Sequence, residues 1–202
     1  MATGQARTAG RVEKRAGREG KRRPLARAMW AGLGLLIALI LAVALLLPRS
    51  TPAAVAACGG GSGIQVGQCA SNFTLSDLQG KRVSLADLRG KPLLLHFWAV
   101  GCTTCAAEYA DFSRAVRASI PKGLTVLAVD AWGEAPSLVR AWQVSHNLPA
   151  NFLVDPTIAV FQQYGGQGTP TTLFIDRAGR ITARNAGPLS YDAYQRNIAH
   201  IL

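Results

Sequence analysis

The chain has 202 residues, with 22 Lys and Arg against 11 Asp and Glu, for a formal charge of +11. Nine of those cations fall in the first 27 residues, opposed only by Glu13 and Glu19, so the tail carries +7 and everything after it only +4. The excess charge therefore does not mark the rest of the chain as a nucleic-acid-binding domain. A lone C-x-x-C is half of a zinc site, and neither a second C-x-x-C nor a paired histidine motif is present to complete a closed one.

Residues 1–27 are rich in Gly, Ala and Arg without apolar periodicity, which predicts a disordered basic tail. From Ala28 to Leu47 run 20 residues without a charge, AMWAGLGLLIALILAVALLL, bracketed by Arg27 and Arg49. As a helix rising about 1.5 Å per residue, that stretch spans about 30 Å, the thickness of the bilayer hydrocarbon core. It predicts one transmembrane helix acting as a signal anchor. Lys and Arg crowd its N-terminal side, so the positive-inside rule places the tail in the cytoplasm and the remainder outside the membrane. Tail cations also attract anionic lipid, at about 1 kcal/mol each, so nucleic acid is not needed to explain them.

Three other export signals compete for the same region. Ala54-Val55-Ala56 is an A-x-A cleavage pattern, Val55-Ala56-Ala57-Cys58-Gly59 resembles a lipobox that would lipidate Cys58, and Arg22-Arg23 resembles a twin-arginine signal. Each of them exports the domain that follows. Residues 48–63, PRSTPAAVAACGGGSG, read as a flexible linker. Cys58 and Cys69 frame its end. In an oxidising compartment the simplest reading of this pair is a local structural disulfide, stabilising by about 3 kcal/mol on the entropic account; the alternative is a second redox relay.

Residues 64–202 form one domain of ordinary size. Phe73–Leu75 and Arg82–Ser84 alternate around a turn-rich segment and predict a β-hairpin, followed by a short helical turn at Leu85–Leu88 that Gly90 stops. Leu93–Trp98 is a continuous apolar run, as expected of a strand buried on both faces, with His96 as a packed core residue that meets the site only if its face points there.

Next comes Cys102-Thr103-Thr104-Cys105, opening a predicted helix to about Val116. The first thiol then sits at a helix N-terminus, where unpaired N–H groups and the helix dipole favour an anion. A free thiol has a pKa of about 8.5; lowering it to about 7 ionises roughly half at neutral pH. With two intervening residues, Cys105 can resolve a mixed disulfide formed on Cys102. Half a zinc site and a static structural disulfide are the competing readings of the pair. Glu108 lies one helical turn past Cys105, either near the dithiol or solvated beside Arg114.

Further on, Leu124–Asp130 predicts a buried strand and Ala135–His146 a helix, completing a β-α-β unit with a parallel sheet. Asn151–Asp155 is short and apolar, and Thr157–Tyr164 predicts a helix ended by Gly165-Gly166. Thr171–Asp176 and Arg180–Asn185 predict an antiparallel pair at the sheet edge, and a last helix runs from Tyr191, capped by Ser190, to Ile201. Pro170, at a strand start, has no N–H to give a ladder. Tyr109, Asp111 and Trp132 read as helix-surface or packing residues.

The run GKPLLLHFWAVGCTTCAAE, Gly90 to Glu108, resembles the active-site segment of the TlpA-like and ResA-like membrane-anchored thioredoxin-fold proteins, within the redoxin or AhpC-TSA-like superfamily. The likeness continues over residues 64–202. It implies an α/β thioredoxin fold, a central mixed sheet flanked by helices, with an extra N-terminal β-hairpin. It implies a thiol-disulfide oxidoreductase in which Cys102 and Cys105 exchange disulfides and Glu108 tunes them. Pro170 is then a cis-proline opposite the dithiol, with Thr169 and Trp98 at the place where a client peptide docks. No cofactor is implied beyond the redox-active cysteine pair, and no metal. The implied partners are protein disulfides such as that of apocytochrome c during cytochrome c maturation, and a membrane thiol-electron transporter of the CcdA/DsbD type. The same residues would serve an oxidant that forms disulfides in secreted proteins. A copper-delivery module is the non-enzymatic alternative, although Sco-type proteins use C-x-x-x-C. Two positions depart from the family pattern: Thr104 and Ala110 stand where prolines are usual.

Overall fold

The structure, a computed structural model, describes Cys58 and residues 63–202. The basic tail, the predicted membrane span and most of the linker lie outside the described residues. Among the described residues no helix is long and apolar enough to cross a membrane.

Seven strands form one sheet: β1 (Thr74–Asp77), β2 (Arg82–Ser84), β3 (Leu93–Trp98), β4 (Thr125–Asp130), β5 (Asn151–Val154), β6 (Thr171–Ile175) and β7 (Ile181–Ala186). Their spatial order is β2-β1-β5-β4-β3-β6-β7. The β3-β4 and β4-β5 pairs are parallel, whereas β1-β2, β1-β5, β3-β6 and β6-β7 are antiparallel. This is the mixed sheet expected of a thioredoxin fold, with the N-terminal hairpin added beside β5. Every residue of β3 is buried, because the strand has hydrogen-bonded neighbours on both edges and packed layers on both faces.

Strand periodicity divides the core. Leu94 and Trp98 of β3 join Phe112, Val116, Val139, Tyr194 and Ile198 in one cluster, so helices α1 (Thr103–Ser119), α2 (Pro136–His146) and α4 (Tyr191–Ala199) cover that face. Leu93, Leu95 and Phe97 point the other way, onto Val160, Phe161 and Tyr164 in and after α3 (Ala159–Gln163) and onto Phe73 and Leu85. His96 must share the face of Leu94 and Trp98, which is the face that carries α1.

Most predicted elements stand within a residue or two of their expected bounds, while α1 runs three residues past its expected end at Val116, to Ser119. Helix α3, expected from Thr157, begins at Ala159. Ile158 has a left-handed backbone, φ 53°, which a β-branched residue seldom adopts. Asp155 explains the late start: its buried carboxylate accepts from the N–H groups of Val160 and Phe161, at 2.9 and 3.0 Å, and holds the helix N-terminus two residues further on.

Cys58 and Cys69 are joined by a disulfide, with Cα atoms 5.5 Å apart. Cys58 also donates its N–H to Ala178 O, and Cys69 pairs with Arg180 in an isolated antiparallel bridge. The linker's end is thereby fastened to the turn between β6 and β7, at the end of β3 opposite to Trp98. Asp155→Ala should orphan two buried N–H groups and lower unfolding free energy by about 3 kcal/mol in urea titration, with the m-value unchanged.

Candidate active site

The dithiol stands where β3 ends and α1 begins. Cys102 is the N-cap of α1, with extended backbone, and its sulphur accepts the N–H of Cys105 at 3.0 Å. Cys102 and Cys105 are joined by a disulfide, Cα atoms 5.2 Å apart. A sulphur in the capping position faces the free N–H groups of the first helical turn, so in the reduced protein it is the thiol whose anion the backbone stabilises. Thr103 and Thr104 between the cysteines are exposed, while both cysteines are buried at one side of an open cavity of about 110 Å³.

Aromatic side chains build that cavity. Trp98, only 4% exposed, packs on Trp142 at 4.3 Å and edge-on to Phe152, and so forms a wall rather than an exposed platform. Its Nε1 has no hydrogen-bond partner. Tyr109 packs on Trp142 and His146 and donates to His146 O. The exposed indole beside the dithiol is Trp132, 54% accessible. It lies over Gly101, where a Cβ would come within 3.2 Å of its ring.

The loop before Cys102 is held from β4. Glu134 accepts the N–H groups of Val100 at 2.7 Å and Gly101 at 3.3 Å through its two carboxylate oxygens. Asp130, fully buried at the end of β4 and paired in register with Trp98, accepts from Trp132 N and Glu134 N and so sets the turn that presents Glu134. Burial pushes the Asp130 carboxyl up to about 6, against the opposing effect of those two hydrogen bonds. Gly133 between them has φ +70°, and a Cβ there would meet Pro156 O at 2.9 Å. Neither Asp130 nor Glu134 is visible as a site residue in the sequence, where A-W-G-E reads only as a turn after a strand.

Glu108 is 4% exposed and makes no contact with Arg114, which instead pairs with Asp111 and covers the ring of Tyr191. The solvated alternative for Glu108 is thus set aside. Oε2 accepts from Leu189 N at 2.8 Å and from the Tyr194 hydroxyl at 3.1 Å, and Oε1 lies 3.6 Å from His96 Nε2. Burial pushes this carboxyl up to about 7, with the two hydrogen bonds pulling the other way. A group with that value both gives and takes a proton at neutral pH.

The Thr169–Pro170 bond is cis, and Pro170 is buried. Phe97 pairs with Thr171, so the antiparallel register carries Pro170 next to Trp98, at the foot of the loop that holds the dithiol. Strand pairing therefore collects Cys102, Cys105, Pro170, Thr169 and Trp98 at one end of β3, with Glu108 one turn down α1. Among the described residues no cluster of His, Cys, Asp and Glu is arranged to hold a metal ion.

Residues 66–184 match the model of the AhpC/TSA family. The chain belongs to that family. Its relatives include the thiol-disulfide oxidoreductase ResA of Bacillus thuringiensis, 30% identical over 61% of this chain and 71% of ResA. ResA of Bacillus subtilis is 29% identical over 65% and 73%. Among solved structures, a secreted disulfide oxidoreductase of Mycobacterium tuberculosis, described as homologous to DsbE of E. coli, superposes with a TM-score of 0.57. It is 25% identical and covers 63% of this chain and 95% of that one. The exposed lipoprotein thioredoxin Etrx1 of Streptococcus pneumoniae has a TM-score of 0.56 at 27% identity, covering 64% and 99%. This AhpC/TSA-family member is a thiol-disulfide oxidoreductase of the ResA and DsbE type, and its redox centre is the cysteine pair itself.

Two expectations follow from the carboxylates. Because the Glu108 proton is held more tightly in the folded than in the unfolded chain, stability should fall as pH rises from about 4.5 to about 7 and level off above. Glu108→Gln should flatten that part of the profile, read from urea midpoints across pH. Glu134→Ala should free the Val100 and Gly101 amides, speeding their hydrogen exchange roughly tenfold or more for a loss of about 1.5 kcal/mol, with exchange in β4 unchanged.

Proposed function

We propose that this oxidoreductase is tethered to the cell membrane by the apolar run 28–47, with the tail cytoplasmic and the thioredoxin-fold domain outside. There it reduces disulfides of exported proteins. The natural client is apocytochrome c, whose haem-attachment cysteines must be thiols when haem is joined to them. The observation that carries this reading is the N-capping thiol of Cys102 beside a buried, protonatable Glu108.

In the reduced enzyme the Cys102 thiolate attacks one sulphur of the client disulfide and displaces the other as a thiolate, leaving a mixed disulfide. Cys105 then gives its proton to Glu108 and attacks the Cys102 sulphur. The second client thiolate leaves, Cys102 and Cys105 become a disulfide, and two electrons have passed to the client. Thr169, ahead of Pro170 at the start of β6, offers its backbone to the incoming peptide beside the dithiol, and Trp132 gives that peptide an exposed aromatic surface. Electrons to restore the dithiol come from a membrane thiol transporter of the CcdA/DsbD type.

The reduction potential of the full-length chain, equilibrated in glutathione or dithiothreitol buffers, tests the direction. A value near −270 mV, as in thioredoxin, supports a reductase, while one near about −120 mV makes the protein an oxidant. Cys105→Ser, incubated in reduced form with an oxidised Cys-x-x-Cys-His peptide, should accumulate the mixed disulfide on Cys102. Absence of that adduct would overturn the assigned order of the two cysteines.

A further inference from the structure

Around Glu108 lie three buried polar side chains, His96, Thr172 and Tyr194, that the exchange steps leave unused. His96 is 4% exposed and stacks on Phe112 at 4.3 Å. Its strand position puts it directly opposite Thr172 of β6, and its Nδ1 lies 2.9 Å from the Thr172 hydroxyl. The phenol of Tyr194 donates to Glu108 Oε2. Glu108 Oε1 lies 3.6 Å from His96 Nε2. Four buried groups from β6, β3, α1 and α4 thus stand in a row, Thr172, His96, Glu108 and Tyr194, and His96 lines the same cavity as Cys102 and Cys105.

Donor and acceptor counting gives the row a direction. Oε2 already receives two donors, Leu189 N and Tyr194, so the proton of a neutral Glu108 belongs on Oε1, the oxygen with no other partner. It can then be given only to a bare Nε2, which requires the imidazole proton on Nδ1, donated to the Thr172 hydroxyl. When Glu108 is ionised, the same arrangement would face a carboxylate with a nitrogen lone pair. The alternative tautomer removes that clash: Nε2–H donates to Oε1, and the Thr172 hydroxyl turns to donate to Nδ1.

We propose that His96 is a positioning residue for the proton exchanged between Cys105 and Glu108: a neutral imidazole that changes tautomer as Glu108 gains or loses it. In the resolving step the Cys105 thiol loses one proton and the pair gains it. Glu108 becomes the acid, and the imidazole keeps a single proton, now on Nδ1 instead of Nε2. The transfer adds no charge to the imidazole–carboxyl pair, which keeps it cheap among buried side chains. The other titratable groups near these four are Cys102, the N-cap of α1, with Cys105, Tyr109 and Asp111 on α1 and His146 on α2. Among the described residues no Lys or Arg forms an ion pair with Glu108. The inference rests on the dithiol-exchange activity and not on the identity of the client.

The test is NMR of the full-length oxidised chain in detergent, with 15N-labelled histidine and 13C-labelled glutamate carboxyls, titrated across neutral pH. As the Glu108 carboxyl ionises, the protonated nitrogen of His96 should change from Nδ1 to Nε2, with never more than one proton on the ring. The same tautomer on both sides of the Glu108 midpoint, or an imidazolium on either side, overturns the proposal. Two variants supply opposite signs. His96→Leu removes the donor to the carboxylate, a charge-assisted bond stronger than the neutral one, and should raise the Glu108 midpoint by about one pH unit. Thr172→Val takes away the acceptor for Nδ1–H, favours the Nε2–H tautomer and should lower that midpoint. The pH dependence of Cys105 attack on a preformed Cys102 mixed disulfide should move with it in each case. A role in packing alone would lower the melting temperature of both variants and leave both midpoints in place. If His96→Leu does not fold, the wild-type titration and Thr172→Val decide. No client is present in the NMR measurement, so a failure to reduce cytochrome-type peptides is a separate result.

Discussion

A carboxyl group buried without a counter-ion is among the costlier things a small domain can hold, and the functional half of this molecule is arranged around one. Glu108 is held between α1 and α4 by one backbone N–H and one phenol, with a histidine as its third neighbour. Among the described residues no Lys or Arg forms an ion pair with it, so the cost of ionising it falls on its proton affinity instead. That transfers a stability problem into chemistry. The group beneath the dithiol is ready to change charge at the pH where thiols begin to, and the fold must provide for both of its states.

The sheet makes that provision. Thioredoxin-type order puts β3 between a parallel neighbour, β4, and an antiparallel one, β6. Because both edges of β3 are paired, the residues flanking its end are set by register: Asp130 on one side of Trp98 and Pro170 on the other. The two neighbours contribute differently. From β4 come Asp130 and the turn that carries Glu134 to the backbone of the loop; from β6 come the cis-proline and, one pleat further in, the Thr172 hydroxyl opposite His96. The active-site loop is therefore held by acceptors, while the sulphur of Cys102 receives a helix N–H. In both, a backbone N–H is the donor: Val100 and Gly101 give theirs to Glu134 and Cys105 gives its own to the Cys102 sulphur, so the first turn of α1 presents a donor to the reacting atoms.

The likeness to ResA in sequence and to a DsbE-like protein in structure agrees with this construction at the level of family and fold. Thr103 and Thr104 occupy the middle of the dithiol motif, and a histidine with both nitrogens buried stands at the centre of β3. The aromatic wall of Trp98, Trp142 and Phe152 leaves Trp132 as the indole that solvent and a partner can reach.

Much of this was legible in the linear chain, because the signals are local. A six-residue apolar run, a C-x-x-C at the start of a helical pattern and a Thr-Pro ahead of a second apolar run are short-range patterns whose physics needs no partner. The alternation of strands and helices predicted a β-α-β unit with a parallel sheet, and the thioredoxin order came with the family likeness, which starts from the segment Gly90 to Glu108 and continues over residues 64–202. Sequence could not decide on which side of α1 Glu108 would be buried, since positions three and four residues apart serve solvent and core equally until a second helix packs. It gave no notice of Asp130 and Glu134, whose partners lie 2 to 34 residues away and are backbone amides that any sequence would supply. His96 is the sharpest case. Its burial was readable from the strand, but its neighbours Thr172, 76 positions on, and Glu108, on the adjoining helix, meet it only through sheet register and helix packing. Residue types determined which groups could carry protons and electrons, and only the tertiary structure decided which of them share a proton, because that depends on distances of a few ångström between elements far apart in the chain.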